Sequence, residues 1–232
     1  MMGNDPQIGK DAETSVRKRG RPRVASDDER RGKIAAVARQ TFLELGYGPT
    51  TIDLLAKRCG ISKQTFYRLF SNKSEILIAM IEAHNKTMLN LPRDPNEALS
   101  LEETLIEIFR TDVDEKLGKE RDDFTFFFFS EAYQYPEILT LLRTYGAERS
   151  RRDLAGWLES RQVRGDLEIE DSLRAAGMLM GMVFGPMSNP AYKVGEPVTM
   201  EMRNKHVQTC VEIFLHGVAV QKHSAWARLS QL

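Results

Sequence analysis

Apolar residues recur at three- and four-residue intervals along most of the chain, and no segment alternates as a half-buried strand would. Ile34, Val37, Ala38, Thr41, Phe42 and Leu45 define a first helix that Gly46 ends. Ile52, Leu55 and Ala56 share one face of a short second helix, with Thr50 as N-cap and Asp53 as its capping-box partner. Cys59-Gly60-Ile61-Ser62 breaks the pattern: Gly60 suits the left-handed position that closes a helix, and Ser62 can cap the next. There Phe66, Leu69 and Phe70 face inward, leaving Lys63, Gln64, Tyr67 and Arg68 outward. Two short helices around such a turn predict a helix-turn-helix, which presents its second helix to the major groove.

Asn72 and Glu75 cap a helix from Lys73 to about Leu89, and Leu91-Pro92-Arg93-Asp94-Pro95 ends it. Leu101, Leu105, Ile108, Phe109 and Val113 predict an amphipathic helix stopped near Gly118. Phe124 to Tyr135 reads as a short, very apolar helix closed by Pro136. Ile138, Leu141, Leu142 and Tyr145 open a long helix that continues through Trp157 and Leu158 to a break at Gly165. A nearly unbroken apolar helix over Asp171 to Phe184 follows, then a loop marked by Pro186, Asn189, Pro190, Gly195 and Pro197. Val207, Val211, Phe214, Leu215 and Val218 define the last helix. The expected fold is all-α with about nine helices: a mobile basic arm at 1–29, a head at 30–74, a body at 75–223 and a tail at 224–232.

Charge sharpens this division. The 232-residue chain is formally neutral, with 33 basic and 33 acidic side chains. Residues 1–74 hold 15 Lys and Arg against 8 Asp and Glu, a net of +7; the remainder holds 18 against 25, a net of −7. A basic head on an acidic body fits a protein that touches phosphate at one end only. Two cysteines, Cys59 and Cys210, make no disulfide framework, and the longest apolar run, Ala175 to Met187, is too short to span a bilayer, so the expectation is a cytoplasmic protein with no membrane partner.

Arg17-Lys18-Arg19-Gly20-Arg21-Pro22-Arg23 lies within the arm. Its core resembles the AT-hook, in which Arg19 and Arg21 would enter a narrow A·T minor groove; a generic basic tail gripping phosphates is the equal alternative.

Phe42, Gly46, Thr50-Thr51, Ala56, Gly60-Ile61-Ser62, Thr65-Phe66-Tyr67, Phe70 and Asn72-Lys73 together resemble the TetR family of bacterial regulators over residues 30–82. More loosely, Ser130-Glu131-Ala132, Tyr135-Pro136-Glu137, the Gly165 turn, Ala175-Ala176 through Gly181-Met182 and Phe214-Leu215-His216-Gly217 resemble the AefR-like C-terminal domain. The resemblance implies base-edge contacts from Lys63 and Gln64, assisted by Ser62 or Thr65, and phosphate contacts from Thr51, Tyr67 and Lys73. The residue types suit these roles: Lys donates to guanine O6 and N7, and Gln can pair with adenine. Leu69 stands where the family often has a polar His or Tyr, which would pass a phosphate contact to Arg68.

Function follows as an expectation: a homodimeric, ligand-responsive repressor of a palindromic DNA operator, released by a small, largely apolar effector. A ligand-independent architectural DNA binder is the alternative, and an enzyme acting on apolar molecules is more remote. Phe124, Phe127, Phe128, Tyr133, Trp157, Met178 and Met182, with His84 and Met88 on the linking helix, are the expected ligand cavity, set against plain core packing. The family dimerises through its last two helices, which implies an interface at Gly177, Gly181, Val207, Val211, Phe214 and Val218; the glycines serve an intrachain contact equally well. His206 and Cys210 stand one turn apart, but no wider His and Cys cluster accompanies them, so neither a metal nor a cofactor is expected. No nucleophile–base pairing can be read, so the chain is expected not to be an enzyme.

Overall fold

The structure, a computed structural model, describes residues 26–94, 97–188 and 199–218. The expectations for Arg19 and Arg21 therefore lie outside the described residues. Helix α1 (Asp27–Leu45) starts three residues inside the stretch assigned to the arm, because Ser26 and Glu29 form a reciprocal capping box and Asp27, Asp28 and Glu29 place negative charge on the first turn. Helices α2 (Ile52–Arg58), α3 (Lys63–Leu69) and α4 (Lys73–Met88) follow. Ser62 caps α3 and Asn72 caps α4, as the sequence pattern implies. The cap of α2 is Thr51, not Thr50: the Thr51 hydroxyl accepts from Leu54 N, whereas Thr50 is buried and donates to the Gly46 carbonyl. Gly60 takes φ +65°, the left-handed turn that separates α2 from α3.

The body begins with α5 (Leu101–Ile108) and α6 (Glu115–Gln134). Here the expected boundaries shift. The amphipathic helix stops at Ile108 rather than near Gly118, with Arg110 at φ +50° in the turn that follows. Asp114 then caps a twenty-residue α6 that contains Gly118, whose missing side chain makes room for Met200. The short apolar helix is thus the second half of a longer one. Its polar first half hides it from an apolar-periodicity reading.

Next come α7 (Pro136–Leu141), a π-helical turn (Leu142–Ala147) and α8 (Glu148–Val163), which run on without a break, then α9 (Ser172–Ser188) and α10 (Met200–Val218). Counting that continuous rod once, the described residues hold nine helices and no strand. Helix α8 packs along α9, and α10 packs against both α5 and α9.

Two apolar clusters fill the molecule. One joins Phe42, Leu55, Phe66 and Phe70 of the head to Ile76, Leu77 and Ile81 of α4 and to Phe124, Phe127, Phe128 and Ile138 of the body. The boundary drawn at 74/75 therefore cuts through one continuous core. The other cluster holds Leu105, Ile108, Leu154, Trp157, Leu158, Leu179, Val183, Val207, Val211 and Phe214.

Candidate nucleic-acid interface and effector cavity

Helix α3 offers its outer face as the alternation of its residues requires. Phe66 and Leu69 are buried, while Lys63, Gln64, Tyr67 and Arg68 are exposed. Two of the four already hold partners. Lys63 Nζ lies 2.6 Å from Asp53 Oδ2 of α2, and Arg68 makes a two-pronged pair with Asp27 at 2.7 and 3.0 Å. Both pairs sit in solvent, where an ion pair contributes little, so either cation can exchange its carboxylate for DNA. Gln64 and Tyr67 stand clear. The Ser62 hydroxyl accepts from Thr65 N and lies 2.9 Å from the Thr65 hydroxyl, so these two shape the start of α3 before they meet any base.

Lys73 is a correction. Its ammonium donates to three carbonyls, those of Tyr47 at 2.6 Å, Gly48 at 3.3 Å and Thr50 at 3.1 Å, and it lies 3.9 Å from the Tyr47 ring centroid. Those bonds account for all three of its protons, and desolvation pulls its pKa below the usual lysine value. A phosphate has no proton left to take. Lys73 instead ties the start of α4 to the loop between α1 and α2.

The end of α6 grips the same loop. Glu131 accepts from Tyr47 N at 3.0 Å, the Tyr47 and Tyr135 rings meet edge-on at 5.3 Å, and a Cβ on Gly48 would stand 1.9 Å from the Tyr135 hydroxyl. Glu131 and Tyr135 belong to the short motifs that carry the C-terminal resemblance. Their structural role is to hold the head. We predict that Lys73→Met lowers the melting temperature by on the order of 5 °C, since hydrogen bonds to a charged group are lost from a part-buried site. The salt dependence of DNA affinity should stay unchanged. A flattened salt slope with unaltered melting would return Lys73 to the phosphates.

A cavity of about 450 Å³ opens in the body between α4, α6, the π turn and α9. His84 and Met88 line it from α4, Thr125, Phe128 and Phe129 from α6, and Met180 and Phe184 from α9. Leu142, Arg143, Gly146 and Ala147 of the π turn form its far wall, and Ser150 of α8 adjoins them. A π turn widens the helix locally and often marks a functional site. Here buried Gly146 faces α4, where an added Cβ would stand in ordinary contact with Ile81 at 3.4 Å. His84 stays neutral at pH 7, its pKa pulled down to about 4 by burial and by the nearby Arg39 and Arg121.

Of the nine residues expected at a cavity, His84, Met88 and Phe128 line this one. Phe124 and Phe127 are core: Phe127 stacks on Phe42 of α1 and Phe124 meets Phe128 edge-on at 4.4 Å. Trp157 and Met182 pack in the other cluster. Tyr133 is 95% exposed and Met178 63% exposed, so both point outward. Phe129 and Met180, from the aromatic run and the methionine cluster, line it too, whereas Leu139, Leu142, Arg143 and Phe184 were missed. Consecutive aromatics at Phe126 to Phe129 do signal this place on α6, but a π turn has no comparable signature.

The expected dimer contacts divide as well. Val207, Val211 and Phe214 are buried within the chain, and half-buried Val218 packs on the same cluster. Gly177 lies against Arg151 of α8, whereas open space lies beyond Gly181. The outward faces instead carry Leu173 and Met178 on α9 and Met202 and Ile213 on α10. His206 bonds within its own chain: Nε2 donates to the Met182 carbonyl at 2.9 Å and lies 3.5 Å from Cys210 Sγ.

Comparison with known proteins agrees with this arrangement. Residues 34–80 match the bacterial regulatory proteins of the tetR family, and residues 103–217 match the AefR-like transcriptional repressor C-terminal domain. The chain belongs to the TetR family. It is a DNA-binding transcriptional regulator, not an enzyme. Among its relatives, the uncharacterized HTH-type transcriptional regulator YvkB of Bacillus subtilis is 21% identical over 193 residues, covering 81% of this chain and 96% of that one. The transcriptional activator FasR of Mycolicibacterium smegmatis is 39% identical over 57 residues only, a quarter of each chain (25% and 26%). A TetR-family regulator from Mesorhizobium loti superposes with a TM-score of 0.66 at 23% identity, covering 85% of this chain and all of that one. The flavonoid-responsive regulator FrrA gives 0.62 at 24% identity, covering 84% and 99%. Among the described residues no helix is long and apolar enough to cross a membrane.

Proposed function

We propose that this TetR-family regulator represses transcription by binding a palindromic operator as a homodimer, and that a small, largely apolar effector releases it. The observation that carries this reading is the double attachment of α4. Its first residue, Lys73, ties down the head loop, while His84 and Met88 near its other end line the cavity. A molecule in the cavity pushes on the helix that positions the head. Release requires that the effector bind the DNA-free conformation more tightly than the DNA-bound one, by several kcal/mol for a near-complete switch. By reciprocity the operator weakens effector binding by the same factor. The test is a thermal-shift screen of hydrophobic compounds followed by operator titration with each binder. Binders that leave operator affinity untouched would refute the coupling.

Lys63 and Gln64 are the base readers in this account, with Thr51, Tyr67 and Arg68 on phosphates. Gln64→Ala should relax base preference at one symmetric pair of operator positions, at about 1–3 kcal/mol per contact, without lowering the melting temperature. Selection among operator variants would show it. Unchanged preference would remove Gln64 from the readout.

The homodimer reading rests on the outward faces of α9 and α10. Met178, Gly181 and Gly185 are exposed on α9, with nothing among the described residues within reach of either glycine, and Ile213 is 58% exposed on α10. Small residues between large apolar ones let a second copy of the same helices approach closely.

A further inference from the structure

The charge of the cavity wall points to the class of molecule it takes. Five of the lining residues are polar: His84, Asn85, Thr125, Arg143 and Ser150. None is acidic. Arg143, in the π turn, carries the one formal charge on the wall, since His84 is held neutral. Neighbouring acids are already engaged: Glu148 with Arg152 at 3.3 Å and Asp153 with Arg149 at 3.2 Å. Arg143 has no ion-pair partner among the described residues. Behind His84, two further cations raise the potential. Arg39 lies over the Phe124 ring, and buried Arg121 donates to the Thr87 carbonyl.

An apolar chamber with one unpaired guanidinium at its edge and no carboxylate on its wall favours an anion and disfavours a cation, because a low-dielectric wall does not screen either as water would. Arg143 is exposed, so an anionic head can keep part of its hydration while the body of the molecule lies against Phe128, Leu142, Met180 and Phe184. A guanidinium also takes both oxygens of a carboxylate at once.

We infer that the effector is an amphipathic anion, with an apolar body in the cavity and a carboxylate-type head held by Arg143. This rests on the effector-cavity reading above and narrows it.

The test uses three probes with one tail and three heads: dodecanoate, dodecanol and dodecyltrimethylammonium, each below its micelle concentration, titrated calorimetrically into the full-length protein. Dodecanoate should bind about tenfold or more tighter than dodecanol, as a charge-assisted contact warrants, and the ammonium most weakly. Arg143→Gln should reduce dodecanoate to the level of the alcohol, while Arg143→Lys keeps most of the preference. The Arg143 side chain bonds to nothing else among the described residues, so neither variant should alter folding, and unchanged melting curves verify that. Equal binding of the three heads, a preference for the alcohol or the cation, or an Arg143→Gln variant that still prefers dodecanoate would overturn the inference. No binding by any of the three would overturn it together with the effector-cavity reading. Tight, head-selective binding that leaves operator affinity unchanged would support the inference and refute ligand-driven release.

Discussion

Met178→Asp is expected to convert the proposed homodimer to a monomer and to weaken operator binding roughly 10²–10⁴-fold. A head held on DNA by its partner rebinds at high local concentration, and that advantage disappears when the two copies separate. Met178 stands 63% exposed on α9, beside the open faces of Gly181 and Gly185, so in a lone chain an aspartate there remains in water. Its own folding should change little, as is usual for surface substitutions. Between two copies the same carboxylate would be buried without a partner, which is costly. Light scattering gives the mass and fluorescence anisotropy the affinity. A variant that stays dimeric would exclude this face. Phe214→Asp is a poor probe by comparison, because Phe214 is buried inside its own chain and its loss would unfold the monomer.

Phe124→Ala should have the largest effect on stability, about 3–5 kcal/mol, or roughly 10 °C in melting temperature. The ring is 1% exposed and touches Phe127, Phe128 and His84, with Arg39 of α1 over its face at 4.7 Å. Phe42 of the head and Phe127 of the body share this cluster, so head and body should melt together. Calorimetry of the variant checks both points. A head transition that stays put while the body shifts would show two independent cores.

Much of the head was legible because its signals are local. A capping serine, a glycine that must turn left-handed and an inward Phe66 each depend on residues within one helical turn. Even there, the cap of α2 falls on Thr51 and not on Thr50, since adjacent hydroxyls look alike until one is seen to be buried. Lys73 was misread for a different reason. Its three carbonyl partners lie more than twenty residues away, and nothing near it in sequence announces them.

The body was legible as helices and much less as a site. Aromatics on every side of α6 show that the helix is surrounded, yet not that Phe124 and Phe127 face the head, Phe128 the cavity and Tyr133 solvent. On α10 the apolar stripe of Val207, Val211 and Phe214 marks a buried face, and periodicity cannot tell a face buried by the same chain from one buried by a partner. In the proposed dimer the outward residues Met178 and Ile213 would carry that second message, and they fall outside the stripe.

The most direct test is selection of bound sequences from a pool of random duplexes. An inverted repeat is expected, with half-site centres about one DNA turn apart or slightly more, because two copies of α3 must reach the same side of the helix together. Recovery of asymmetric sites, or of A·T-rich duplexes with no repeat, would contradict a homodimer that reads an operator through Lys63 and Gln64.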